Sequence, residues 1–147
     1  MLIDNVTLDD IQIKLVTKDW QDALRQAAKP MLEKKAIEVS YVDAMIKSHI
    51  DNGPYMIITK HICLAHARPD CGVNEMAFTF STLDPPIEFG AKDLDPVRLI
   101  ITLAATGEND HIDLMGELAE LLTDEQKLDA LFEADSREVF YDQLKIG

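Results

Sequence analysis

Residues 97–105, VRLIITLAA, restrict the fold more than any other stretch. Only Arg98 and Thr102 interrupt an apolar run that is short for a helix. It lacks the polar alternation of a strand with one wet face, so it reads as a central strand covered on both sides. Such a strand needs an apolar layer above and below it. Helices supply those layers in an α/β sandwich.

The rest of the chain fits that plan. IQIKLV, residues 11–16, alternates as a strand does, and so does EMAFTFSTL, residues 75–83, with Met76, Phe78 and Phe80 on one half-buried face. YMIITKHICLAH, residues 55–66, reads as an interrupted strand. The spacing of Trp20, Leu24, Ala27, Ala28, Met31 and Leu32 predicts a helix capped by Asp19. Pro30 is expected to bend that helix or end it early. A second helix is expected from a Ser40 cap to the turn signature DNGP at 51–54. Three more should close the chain. One begins at Asp110, one at a Thr123/Gln126 capping box and one at Ser136. LDPPIEFGAKDLDP, residues 83–96, is the most loop-like stretch. At 147 residues, with no repeat or low-complexity tract, the expectation is one α/β domain over 1–147. Its mixed sheet should be flanked by helices on both faces.

Fourteen basic residues against 27 acidic ones give a formal charge of −13. That argues against nucleic acid as a partner, because phosphate backbones select for clustered Lys and Arg. It fits encounter with basic proteins, or merely keeps the chain soluble. No window is apolar for long enough to cross a bilayer, and MLIDNVTLDD is acidic and lacks the basic-then-apolar pattern expected of a secretory signal. The two cysteines, Cys63 and Cys71, form no disulfide framework. The expected compartment is the cytoplasm.

Chemistry points to the histidines. His49 reads as a helix-face residue and His61 as a strand or turn residue. His66 ends an apolar strand, and His111 follows the apolar run 97–105 and a short polar loop. If those strands are parallel neighbours, both imidazoles reach the carboxyl-end crevice where open α/β sheets bind ligands. A neutral imidazole there can carry a phosphoryl group on nitrogen. Arg68 would supply charge near the moving oxygens, and the helix near His111 would supply amide donors and a positive dipole end. A structural role for each histidine stands beside this reading. So does a metal site built from His61, His66, Asp70 and Cys71, although no pair of these has a familiar ligand spacing. No G-x-S-x-G elbow supports a hydrolase.

GPYMIITKHICLAHARPDCGV at 53–73 resembles the active-site segment of enzyme IIA components of the bacterial sugar phosphotransferase system. The class is the mannitol–fructose one, and the likeness is strongest to its ascorbate-type branch. The W-x-D-A stretch at 20–23, H-x-R-P-x-x-G-V at 66–73, DPVRLIITLAA at 95–105 and His111 extend the likeness over nearly the whole chain. The resemblance implies a mixed sheet flanked by helices and a histidine phosphotransferase needing no metal or organic cofactor. It implies that His66 accepts the group from HPr, that His111 helps to hold it, and that a cysteine of enzyme IIB takes it for a sugar entering through membrane enzyme IIC. L-Ascorbate is the substrate it suggests, and a regulatory module switched by histidine phosphorylation is the alternative. Homo-oligomerisation stays open. Docking of two partners in turn predicts an exposed apolar patch at the site. Two departures stand out. Ala65 replaces the family's proline before the acceptor, which predicts a looser strand end. Lys60 and His61 replace small residues, which predicts extra positive character beside the site.

Overall fold

The computed structural model of the chain describes residues 2–145, apart from the side chains of residues 2, 3 and 108–111. Its strands are β1 (Ile11–Leu15), β2 (Ile57–Thr59), β3 (Ile62–Ala65), β4 (Ala77–Ile87) and β5 (Val97–Ala104). Its helices are α1 (Trp20–Glu33), α2 (Val39–Asn52), α3 (Glu108–Leu122), α4 (Glu125–Glu133) and α5 (Arg137–Lys145). The strands form one sheet in the order β1-β4-β5-β3-β2. β1 runs parallel to β4, β4 antiparallel to β5, β5 parallel to β3, and β3 antiparallel to β2.

The apolar run is the centre of this sheet. Alternate side chains of β5 enter opposite layers. Ile100 and Ala104 join Leu24, Met31, Tyr41 and Met45 of α1 and α2, while Leu99, Ile101 and Leu103 join Leu114, Leu118, Leu131 and Phe140 of α3–α5. The mixed sheet with helices on both faces is therefore as expected.

Local expectations differ from the structure in instructive places. The stretch 55–66 is a hairpin, not one broken strand. The chain reverses at Lys60–His61, and His61 takes φ 73°. β4 is buried on both faces from Ala77 to Leu83, so its phenylalanine alternation marks two layers rather than one wet face. The strand also continues through Pro85 and Pro86 to Ile87, into the segment expected to be a loop. Because β1 and β5 flank it only over Phe80–Leu83 and Ala77–Thr82, with one further pair at Ile87 and Val97, the prolines fall beyond the tightest pairing.

Pro30 does not end α1, which runs one more turn to Glu33. A proline at 30 removes the donor that the Gln26 carbonyl would use. Gln12 of β1 replaces it, its side-chain amide donating to Gln26 O at 2.8 Å and to Ser81 Oγ at 3.0 Å. Asp19 caps α1 as predicted, accepting from Asp22 N at 2.8 Å. Ser136 likewise accepts from Val139 N at 3.2 Å. Three caps move. α2 begins at Val39 behind Glu38, α3 at Glu108 behind Gly107 rather than at Asp110, and α4 behind Asp124 rather than Thr123. Thr123 instead closes α3, donating to Glu120 O at 2.9 Å. Among the described residues, no helix is long and apolar enough to cross a membrane.

Candidate phosphoryl-acceptor site

β3 and β5 are parallel neighbours in register, with Ala65 opposite Thr102. Both strands therefore end at the same sheet edge. One leads directly into His66, and the other passes through Ala105–Gly107 into the N-terminus of α3. This is the condition on which the two histidines were expected to converge. His111 lies in the first turns of α3, and its side chain is outside the described residues.

The His66 ring is half-buried and oriented by its own backbone. Nδ1 lies 2.8 Å from the Leu64 carbonyl oxygen. A carbonyl only accepts, so Nδ1 carries the proton and Nε2 is the nitrogen with the lone pair. Tyr55 meets the ring edge-on, with centroids 5.7 Å apart. Two open clefts adjoin His66. One, of about 290 Å³, includes Tyr41, Leu103, Ala105 and Gly107, the residue that precedes α3. The other, of about 600 Å³, includes Lys47, Ser48, Tyr55, Arg68 and Cys71. The N-terminal, positive dipole end of α3 thus lies at the same edge as His66.

Arg68 lies in the second cleft with a largely exposed side chain, held by Asp70 Oδ2 at 3.0 Å. Lys47 is paired with Asp51 in the same cleft. The turn carrying Arg68 is tied to α2. Ser40, predicted as a cap, instead donates from Oγ to Cys71 O at 2.7 Å, and Glu38 N donates to Gly72 O at 2.8 Å. Gly72 has φ +132°, and a Cβ there would meet Ser40 Oγ at 2.6 Å. Only glycine suits both the conformation and the close approach.

The segment around Ala65 is held on both sides. Ala65 belongs to the β3–β5 ladder, and Ala67 N–H donates to the Tyr41 hydroxyl at 2.9 Å. The looser strand end expected from the missing proline has these restraints against it. Lys60 and His61 are not beside the site. They turn the hairpin at the opposite end of β3, about 16 Å of extended strand away from His66. There His61 Nδ1 lies 2.7 Å from Pro96 O, and its ring meets Phe132. His61 and His66 therefore cannot share a metal, and no group of three or more potential ligands occurs among the described residues. His49 faces inward from its helix, with Nε2 2.8 Å from Phe89 O and its ring against Trp20. Burial pushes the Cys63 thiol far above its ordinary value, which keeps it an inert core side chain.

Sequence reasoning missed the two tyrosines. Tyr55 stands in the Gly-Pro-Tyr motif, but nothing marked it as a ring neighbour of His66. Nothing in the second helix marked Tyr41 as a neighbour of the site.

The family model described as "Phosphoenolpyruvate-dependent sugar phosphotransferase system, EIIA 2" matches residues 5–146. The mannitol-specific cryptic phosphotransferase enzyme IIA component of Escherichia coli (strain K12) is 34% identical over 130 residues, covering 88% of each chain. A solution structure of a protein so described from Escherichia coli superposes with a TM-score of 0.90 at 32% identity over 100% of both chains. The ascorbate-specific PTS system EIIA component of Shigella boydii serotype 4 (strain Sb227) is 30% identical over 122 residues, 82% of this chain and 79% of the relative. In fold, the chain also matches enzyme IIAMTL from Escherichia coli, solved in complex with phosphorylated enzyme IIBMTL, with a TM-score of 0.82 at 22% identity over 95% of this chain and 96% of that one. The chain belongs to the EIIA 2 family of the phosphoenolpyruvate-dependent sugar phosphotransferase system, whose enzyme IIA components are phosphotransferases.

Proposed function

We propose that residues 1–147 act as one cytoplasmic phosphoryl carrier, in which His66 Nε2 takes the group from phospho-HPr and gives it to a cysteine of an enzyme IIB. The observation that carries this reading is the Nδ1–Leu64 O bond at 2.8 Å. It supports the tautomer with the lone pair on Nε2, on a half-exposed ring between two open clefts.

The step balances without a cofactor. A P–N bond forms at Nε2 as the donor's P–N bond breaks, and the bonding electrons return to the donor imidazole. The proton stays on Nδ1, which keeps donating it to the Leu64 carbonyl. Onward transfer breaks the new bond as a P–S bond forms on the partner thiolate. Catalysis is then positioning and charge stabilisation. The α3 N-terminus contributes amide donors, Arg68 contributes charge from the cleft wall, and His111 contributes a hydrogen bond from the first turns of α3.

Exposed apolar side chains suit a site that must dock two proteins. Tyr55 beside His66 is 48% exposed, and Ile112, next to His111, is 60% exposed. The net charge of −13 favours encounter with a basic HPr. Membership of the EIIA 2 family supports an enzyme IIB as the second partner, with membrane enzyme IIC proposed beyond it. The proposed transported compound is L-ascorbate, and a mannitol-like polyol is the competing substrate because both named relatives lie at similar identity.

Reconstitution tests the reading. Incubated with enzyme I, HPr and phosphoenolpyruvate, the protein should gain one acid-labile phosphoryl group on His66, which ascorbate-type or mannitol-type IIB discharges. Phosphorylation elsewhere refutes the assignment. A stable phosphoprotein that neither IIB discharges identifies a regulatory module instead.

A further inference from the structure

Tyr41 lies in the first turn of α2, on the face turned to the sheet, and is 1% exposed. A buried phenol needs hydrogen-bond partners for its oxygen. It has two main ones, and they come from the two strand ends that build the site. The hydroxyl donates to Leu103 O of β5 at 2.6 Å and accepts from Ala67 N–H at 2.9 Å. The Ala67 carbonyl is farther, at 3.3 Å, so the single proton goes to Leu103. Burial pushes the phenol up to about 12, against the smaller lowering effect of its Ala67 bond. The proton therefore stays on the oxygen at neutral pH.

The position of these partners matters. Ala67 directly follows His66, and Leu103 lies one residue from the end of the strand that leads to Gly107 and α3. Residues 65 and 67 are both alanine, so little side-chain bulk locates the backbone on either side of the imidazole. The ring takes its direction from Leu64 O, behind it in the chain. Ahead of it, the phenol ties the backbone to β5.

We propose that Tyr41 is a positioning residue for phosphoryl transfer: its hydroxyl pins the backbone after His66 to the end of β5, and so sets the imidazole's place relative to the N-terminus of α3. The proposal rests on His66 being the acceptor. Transfer depends steeply on placement, and a displacement near 1 Å can cost about a hundredfold in rate.

Tyr41→Phe removes the hydroxyl while keeping the ring in the core. Uptake from phospho-HPr is measured per folded molecule, beside Phe140→Leu, a destabilised control in the opposite layer. Tyr41→Phe should slow uptake about ten- to hundredfold, whereas Phe140→Leu should stay within about twofold of wild type. The nitrogen-15 NMR signals of the unphosphorylated His66 ring should shift in Tyr41→Phe, which a purely structural role would not produce. In wild type the Ala67 amide should exchange with solvent as slowly as amides of β5. Uptake within about twofold of wild type with unchanged ring signals overturns the proposal. If Tyr41→Phe fails to fold, the wild-type Ala67 amide decides: core-level protection supports the tether and fast exchange overturns it. If wild type itself takes no phosphoryl group, the acceptor reading fails separately, while the ring signals and the exchange rate still report on the tether.

Discussion

Between pH 9 and 11 the wild-type protein should lose stability that a Tyr41→Phe variant keeps. Burial holds the phenol at about 12 in the folded chain, against about 10 in an unfolded one. The unfolded chain therefore releases this proton first. Between the two values the folded state binds more protons, so stability falls as pH rises. The contribution is complete below about pH 10 and gone above about pH 12. From pH 9 to 11 linkage gives a loss of about 1.3 kcal/mol, and over the whole window about 2.7 kcal/mol. Cys63 moves stability in the same direction, since burial raises its thiol too. Urea titrations of both proteins at each pH, subtracted one from the other, cancel that contribution. A difference that stays flat from pH 9 to 11 would mean that the phenol ionises as easily folded as unfolded. It would refute the sealed hydroxyl between Ala67 and Leu103.

The His66→Ala protein should fold normally, with stability within about 1 kcal/mol of wild type, because the ring is only half-buried; it should take no acid-labile phosphoryl group in the reconstituted system. His111→Ala should still accept the group but slow its transfer about ten- to a thousandfold, and an unchanged rate in a quench-flow assay would remove His111 from the site. Gly72→Ala should cost about 1–3 kcal/mol in chemical denaturation, since its Cβ would displace Ser40 Oγ from Cys71 O at a φ that alanine avoids. Gln12→Met should cost about 1 kcal/mol with Pro30 present and less with Pro30→Ala, where a restored N–H can bond Gln26 O; strict additivity in that double-mutant cycle would show that the two do not share one carbonyl.

Much of the candidate site was legible because its signals are local. His66 at the end of an apolar strand, Arg68 two residues on and Gly72 in a turn lie within seven positions of one another. Their spacing and the family resemblance reached the same segment. The caps at Asp19 and Ser136 were legible for a similar reason, since a capping side chain bonds an amide only three residues away. At α4 the capping role passed to an adjacent oxygen-bearing side chain, Asp124 in place of Thr123.

The errors share a different cause. Lys60 and His61 were placed beside the site because the sequence does not show that the chain reverses there. The reversal depends on His61 adopting φ 73° and on its bonds to Leu94 O and Arg98 N, more than 30 positions downstream. The expected early end of α1 at Pro30 does not occur, and its replacement donor, Gln12, belongs to another element 14 residues away from the bonded carbonyl.

By itself, the sequence determined the layers: a run as apolar as 97–105 forces a sheet covered on both faces, because no side of that strand can be given to water. It also determined the candidate nucleophile, since the motif around His66 is contiguous. Only the tertiary structure decided which groups surround that nucleophile. The parallel register of β3 and β5 brings the start of α3 to the edge that carries His66. The Tyr41 hydroxyl joins partners 26 and 62 residues distant. Such contacts leave no mark in local spacing, because they form only once the sheet has fixed which strand ends meet.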